Sequence, residues 1–168
     1  LEEKNTLSPI LFSVIDNALQ SLKKKKPYTF NKLFYELEKK RLYKIVTKYL
    51  ELEKMRPPFK VIHIEFESIF KINELNIKLR VDRIDELDNG DWLVIDYKTG
   101  SPTLSSMFEE RISEPQLPIY VLTENRIKAV LYAQLQQRNV KNKGFSQNEI
   151  DIQGVKLIEK QQKITWDE

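Results

Sequence analysis

The sequence predicts an α/β fold, a mixed and largely antiparallel central sheet flanked by helices on both sides. The first third repeats its apolar residues at helical spacing. The middle changes to β-branched and aromatic runs separated by short turns, the pattern of an antiparallel meander. A further helical stretch and a buried strand then follow.

The first helix is expected to open at Ser8-Pro9, with the serine as cap and the proline at the first helical position. Ile10, Leu11, Val14, Ile15, Ala18, Leu19 and Leu22 form its apolar stripe, and Lys23, Lys24, Lys25, Lys26 and Pro27 stop it. A second helix begins near Thr29 and carries Leu33, Phe34 and Leu37; a third carries Leu42, Ile45, Val46, Tyr49, Leu50 and Leu52. Pro57-Pro58 closes this region, because a residue before proline is pushed out of helical geometry. Residues 59–72, with Val61-Ile62-His63-Ile64-Glu65-Phe66, read as a strand, and Asn73-Glu74-Leu75-Asn76 as a turn. Ile77-Lys78-Leu79-Arg80-Val81 begins a second strand and Trp92-Leu93-Val94-Ile95-Asp96-Tyr97-Lys98 forms a third. Ser113-Glu114-Pro115-Gln116 opens another helix reaching about Leu122, and residues 127–135 read as a buried strand. Asn142-Lys143-Gly144 is expected to begin a loop, and residues 150–158 to add one more strand. The expectation is one domain over residues 1–168, helical over 1–57, with the catalytic sheet and its flanking helix over 58–168. The start at Leu1 and the polar end suggest a piece excised from a longer protein.

Composition narrows the chemistry. No cysteine is present, which excludes disulfides, thiolate zinc sites, iron–sulfur clusters and cysteine nucleophiles. A single histidine, His63, rules out a multi-histidine metal site and leaves a serine triad only one candidate base. Carboxylates, lysine and hard cations remain. No apolar run has the length of a membrane span and no signal-peptide pattern opens the chain, so a cytoplasmic protein with no membrane partner is expected. A net charge of +3 is compatible with a polyanionic partner but too mild to argue for one. Lys39-Lys40-Arg41 and the four consecutive lysines read as solvated helix ends, where the dipole favours cations.

On a strand, Asp96 and Lys98 share one face while Ile95 and Tyr97 take the other. A carboxylate beside an ammonium at the end of an apolar strand suits a hard cation and a nucleophilic water; alone, it also reads as an ordinary ion pair. The neighbouring strand supplies a second carboxylate in Val81-Asp82-Arg83-Ile84-Asp85. A two-residue Asn89-Gly90 loop would set Tyr97 opposite Asp82. A three-residue loop, Asp88-Asn89-Gly90 with Gly90 left-handed, pairs Leu87 with Asp91 and so sets Asp96 opposite Asp82, with Cβ atoms about 4.5–5.5 Å apart. Carboxylates that close repel unless a cation lies between them. The three-residue loop, or an equivalent bulge, is therefore predicted. The alternative is a structural ion pair of Asp82 with Arg80 or Arg83.

Val81-Asp82-Arg83-Ile84-Asp85, then Val94-Ile95-Asp96-Tyr97-Lys98-Thr99-Gly100, then Gln116-Leu117-Pro118-Ile119-Tyr120 resemble, in order and interval, the signature blocks of RecB-like nucleases of the PD-(D/E)xK superfamily, AddB-type subunits included. The resemblance covers nearly the whole chain. It implies a restriction-endonuclease-like core and a magnesium-dependent deoxyribonuclease (Mn²⁺ as the alternative ion). Asp82, Asp96 and Lys98 would be catalytic, with Asp82, Asp96 and the Tyr97 backbone carbonyl as metal ligands. Gln116 and Tyr120, four apart on one helical face, would support the site and DNA binding; without the resemblance they read as a first-turn hydrogen bond and a core tyrosine. DNA is the implied partner, with a helicase domain or subunit beside it, in repair or recombination. A catalytically degenerate, DNA-binding or scaffolding version of the same fold is the alternative. The chain departs from the pattern in three places. Asp16 stands where many such nucleases carry a helix histidine, and is a further metal candidate, as is Glu65. The cluster-binding cysteines of AddB-type nucleases are absent, so no iron–sulfur cluster is expected. A glycine usual before the first aspartate is replaced in the region of Leu79 and Arg80.

Overall fold

The computed structural model describes residues 2–107 and 116–158; the expected helix start at Ser113-Glu114-Pro115 lies outside them. The chain divides into two compact units, Leu1–Glu51 and Leu52–Glu168.

The first unit is helical. Helix α1 spans Glu2–Lys25 and α2 spans Lys32–Lys54, the last residues of which fall in the second unit. Leu11, Ile15, Leu19 and Phe30 are buried together, packed by Tyr35, Leu42, Tyr43, Val46 and Leu50. Two expectations need correction. The α1 helix begins before Ser8, leaving Pro9 inside it. Proline forfeits one helical hydrogen bond there. Ser8 therefore caps nothing; its hydroxyl lies 2.8 Å from that of Tyr43. The second and third expected helices are one. The stretch between Leu37 and Leu42 contains no glycine or proline to break it, and Asn31 caps the start by accepting from the Phe34 N–H at 2.9 Å.

The second unit is built on a six-stranded mixed sheet in chain order: β1 Phe59–Ile72, β2 Leu75–Leu87, β3 Trp92–Lys98, β4 Ile127–Gln136, β5 Asn139–Ser146 and β6 Val155–Leu157. Strands β1, β2 and β3 form the expected antiparallel meander, β3 and β4 are parallel, β4 and β5 antiparallel, and β5 and β6 parallel. Helix α3, Gln116–Val121, bridges the parallel pair and packs on it through Leu117 and Tyr120. These join Val81, Ile84, Val94, Val130, Tyr132 and Phe145 in one apolar core. This is the mixed α/β arrangement expected of a restriction-endonuclease-like fold. Glu53 and Arg56 belong to the second unit and are bound by salt bridges to Arg83 and Asp85 of β2.

The tail strand is shorter than expected, and Gly144 begins no loop. It lies within β5, opposite Leu131. A Cβ there would stand 2.2 Å from the Val130 carbonyl oxygen and 2.7 Å from the Leu131 Cβ. Glycine serves close strand approach here, a use that composition cannot separate from a turn. Gly144→Ala is expected to destabilise the protein by about 1–3 kcal/mol, the usual cost of overpacking. A urea titration followed by far-UV circular dichroism measures this, and an unchanged midpoint would contradict the packing.

Candidate active site

The hairpin joining β2 and β3 has the three-residue loop predicted from the sequence. The Leu87 N–H donates to the Asp91 carbonyl and the Gly90 N–H to the Leu87 carbonyl, both at 2.9 Å. Gly90 is left-handed at φ +84°, where a side chain would be strained. The ladder pairs Glu86 with Trp92, Asp85 with Leu93, Ile84 with Val94 and Arg83 with Ile95. Continued by one residue, this register sets Asp82 opposite Asp96.

At that point side chains replace the ladder. The Tyr97 N–H donates not to a backbone carbonyl but to Asp82 Oδ2, at 2.8 Å. Neither ion pair considered for Asp82 forms: Arg80 pairs with Glu65, and Arg83 with Asp85 and Glu53. The opposite edge of β2 is irregular at the same level. Glu65 has a left-handed backbone at φ +51°, and the β1–β2 pairing steps over it between Ile64–Arg83 and Phe66–Val81. Val81 and Ile84, three residues apart, both reach the core, so the alternation of faces slips at Asp82-Arg83.

Asp96 is 4% exposed, and its Oδ2 lies 2.9 Å from Lys98 Nζ, as expected of residues two apart on one strand face. Lys98 also lies over the Tyr132 ring, 5.7 Å from its centroid. Helix α3 closes this side. The Gln116 amide donates to the Tyr120 hydroxyl at 2.9 Å and to the Arg80 carbonyl at 3.2 Å, and the Tyr120 hydroxyl donates to that carbonyl too. Burial raises the Tyr120 pKa, and the charges of Asp96 and Asp82 raise it further, so both carboxylates act on one hydroxyl. The structure thus brings Asp82, Asp96, Tyr97, Lys98, Gln116 and Tyr120 to one locality.

Two further metal candidates behave differently. Glu65 is exposed and paired with Arg80. Asp16, in the helical unit, accepts from Tyr35 at 2.8 Å, from Gln20 at 2.6 Å and from Lys39. Lys39 first, then Tyr35, hold its carboxyl below the usual range. Among the described residues no group of three or more acidic or histidine side chains gathers as a metal site. The available donors are two carboxylates and the Tyr97 carbonyl. All are hard oxygens, which suits Mg²⁺, an ion that keeps several waters and needs only one or two carboxylates.

On the other face of β2 and β3 lies a network that the sequence did not disclose. Asp85, fully buried, accepts from Arg56 Nη2 at 2.8 Å and from Arg83 Nε and Nη2 at 2.6 and 2.8 Å. Glu53 bridges both arginines at 2.8 Å each, and Phe59 stacks under the Arg56 guanidinium at 4.0 Å. Arg83 also donates to the Tyr97 hydroxyl at 3.2 Å. Burial opposes the Arg83 charge, but Asp85 and Tyr97 outweigh it and raise the guanidinium's pKa. Tyr97 is therefore held at both ends, its backbone by Asp82 and its hydroxyl by Arg83. Period-two spacing places Arg83 and Asp85 on one face; nothing local signals Arg56.

The profile of the PD-(D/E)XK nuclease superfamily matches residues 2–164. No curated protein matches the chain. Among solved structures, the crystal structure of SSO0001 is 14% identical with a TM-score of 0.37, covering 81% of this chain and 65% of that one, a likeness too remote to bear on fold or activity. The family match spans both units and includes every residue of the Asp82, Asp96 and Lys98 grouping: the chain belongs to the PD-(D/E)XK nuclease superfamily, whose members are generally nucleases.

Proposed function

We propose that this protein hydrolyses DNA phosphodiester bonds with Mg²⁺, or Mn²⁺ in its place, as a RecB-like, AddB-type nuclease module working with a helicase domain or subunit in repair or recombination. The observation that carries the reading is the hairpin register, which sets Asp82 opposite Asp96 with Lys98 two residues on. Asp82, Asp96 and the Tyr97 carbonyl would hold the ion. When bound, the ion supplies charge stabilisation at the phosphate and makes water a better nucleophile. Lys98 positions the attacking water, and its ammonium offsets negative charge gathering at phosphorus. Tyr120 and Gln116 brace the Arg80 carbonyl immediately before the Val81-Asp82 segment, keeping the first carboxylate in place. In-line attack then depends chiefly on positioning.

A second reading, a catalytically degenerate module that binds DNA or scaffolds a helicase, draws on two observations. Asp16 is engaged by Lys39 and Tyr35, and no third carboxylate joins the pair among the described residues. One assay separates the two readings. Circular plasmid and end-labelled linear DNA are incubated with Mg²⁺, Mn²⁺ or EDTA. Degradation in either metal and none in EDTA is expected, and the product sizes distinguish internal from terminal cutting. DNA bound but uncut in both metals would leave only the second reading.

A further inference from the structure

The positive charge of this protein lies in the helical unit. Residues 1–51 hold eleven lysines and arginines against six acidic residues, whereas residues 52–168 hold seventeen against nineteen. A net +3 thus divides into +5 and −2. The unit proposed to hold the cation site is slightly acidic, a poor match for a phosphate backbone.

Within the helical unit the basic residues of α2 fall into two sets. Lys39 and Arg41 are neutralised locally by Asp16 and Glu38. Lys40, Lys44 and Lys48 are exposed, and among the described residues none has a carboxylate partner. They recur every four residues, which stacks them on one side of the helix about 6 Å apart along its axis. Like charges at this spacing repel one another and weaken the isolated helix. A polyanion laid along the stripe would remove that repulsion.

We infer that Lys40, Lys44 and Lys48 form a contact for the phosphate backbone of DNA, which gives the chain a binding surface outside the catalytic grouping. The inference rests on the DNA reading above and names a part of the chain that would hold the substrate. Each lysine neutralising one phosphate releases condensed counterions, so the stripe carries a share of the salt dependence of binding.

The test is fluorescence anisotropy of a labelled DNA strand with EDTA present, so that nothing is cut, over a series of salt concentrations. Lys40→Gln/Lys44→Gln/Lys48→Gln is expected to reduce the slope of log affinity against log salt by about 2–3, with affinity falling on the order of tenfold or more near 0.1 M salt. Glutamine has nearly the helix propensity of lysine, so the melting curve should be retained. A second variant, Lys23→Gln/Lys24→Gln/Lys25→Gln, removes the same charge from the exposed end of α1. An equal effect in both variants would mean diffuse charge and no stripe, and an unchanged slope in the first would overturn the inference outright. Competition by poly-glutamate as strong, per charge, as that by DNA would point to an acidic protein partner and also overturn it. A mononucleotide p-nitrophenyl phosphodiester separates this failure from failure of the nuclease reading. Its hydrolysis should be equal in wild type and triple variant, and its absence in both would count against the nuclease reading alone.

Discussion

Asp96→Asn is expected to reduce DNA hydrolysis on the order of a thousandfold while leaving the protein folded. The charge stabilisation supplied by a bound cation is worth several kcal/mol, and each tenfold in rate corresponds to about 1.4 kcal/mol. Asparagine keeps the volume and the acceptor oxygen that faces Lys98 but loses the charge that would hold the ion. Lys98→Ala should cost about 10²–10⁴ in rate, the usual contribution of a positioned proton-transfer group. Its effect on stability should be smaller than that of Asp85→Ala, since Lys98 is 31% exposed, though its loss uncovers the Tyr132 ring and takes the cation from Asp96. The checks are initial rates on end-labelled DNA, thermal unfolding, and DNA affinity in EDTA. Wild-type rates from Asp96→Asn would remove this carboxylate from the chemistry and with it the proposed cation site.

Asp85→Ala is expected to be the most destabilising change in the sheet unit. The side chain is wholly buried and accepts bonds from two guanidiniums whose side chains are 2% and 12% exposed. Removing it leaves those two cations with Glu53 as their one remaining shared carboxylate in a site closed to water. Breaking a buried pair in this way costs about 3–5 kcal/mol. For a chain of this size each kcal/mol shifts the melting temperature by about 2–4 °C, so a fall on the order of 10 °C should appear in far-UV circular dichroism. Asp85→Asn should fall less, because its amide oxygen still accepts one guanidinium. A melting temperature within about 2 °C of wild type for Asp85→Ala would show that the network adds little. The change also bears on the site, since Arg83 holds the Tyr97 hydroxyl between Asp96 and Lys98 in sequence. Activity well below the melting temperature should therefore drop, by less than in Asp96→Asn.

The asymmetry between these variants follows the range of the interactions behind them. The proposed grouping of Asp82, Asp96 and Lys98 is suggested by local relations, two adjacent strands and a short turn, together with the resemblance of the motifs around them. Strand period places Asp96 and Lys98 on one face. The turn at Asp88-Asn89-Gly90 leaves two loop lengths open, and the need for a cation between opposed carboxylates chooses the three-residue one, which sets Asp96 opposite Asp82. Asp85 carries an equal charge in the same segment, and Arg83 is local to it, yet its other partner Arg56 lies 29 residues earlier, beyond any turn or periodicity that could announce it.

Alternation and turn geometry act over a few residues, and they suffice for the three-strand meander; β5 reads from its residues as a loop, and the hairpin register follows only from asking that opposed carboxylates share a cation. Long-range packing decided that Gly144 admits a neighbouring strand, that Asp16 is held by Lys39 and Tyr35, and that Tyr97 is anchored at both ends. In each case the outcome depends on which distant group fills the space beside a residue, and packing, not local conformational preference, settles that.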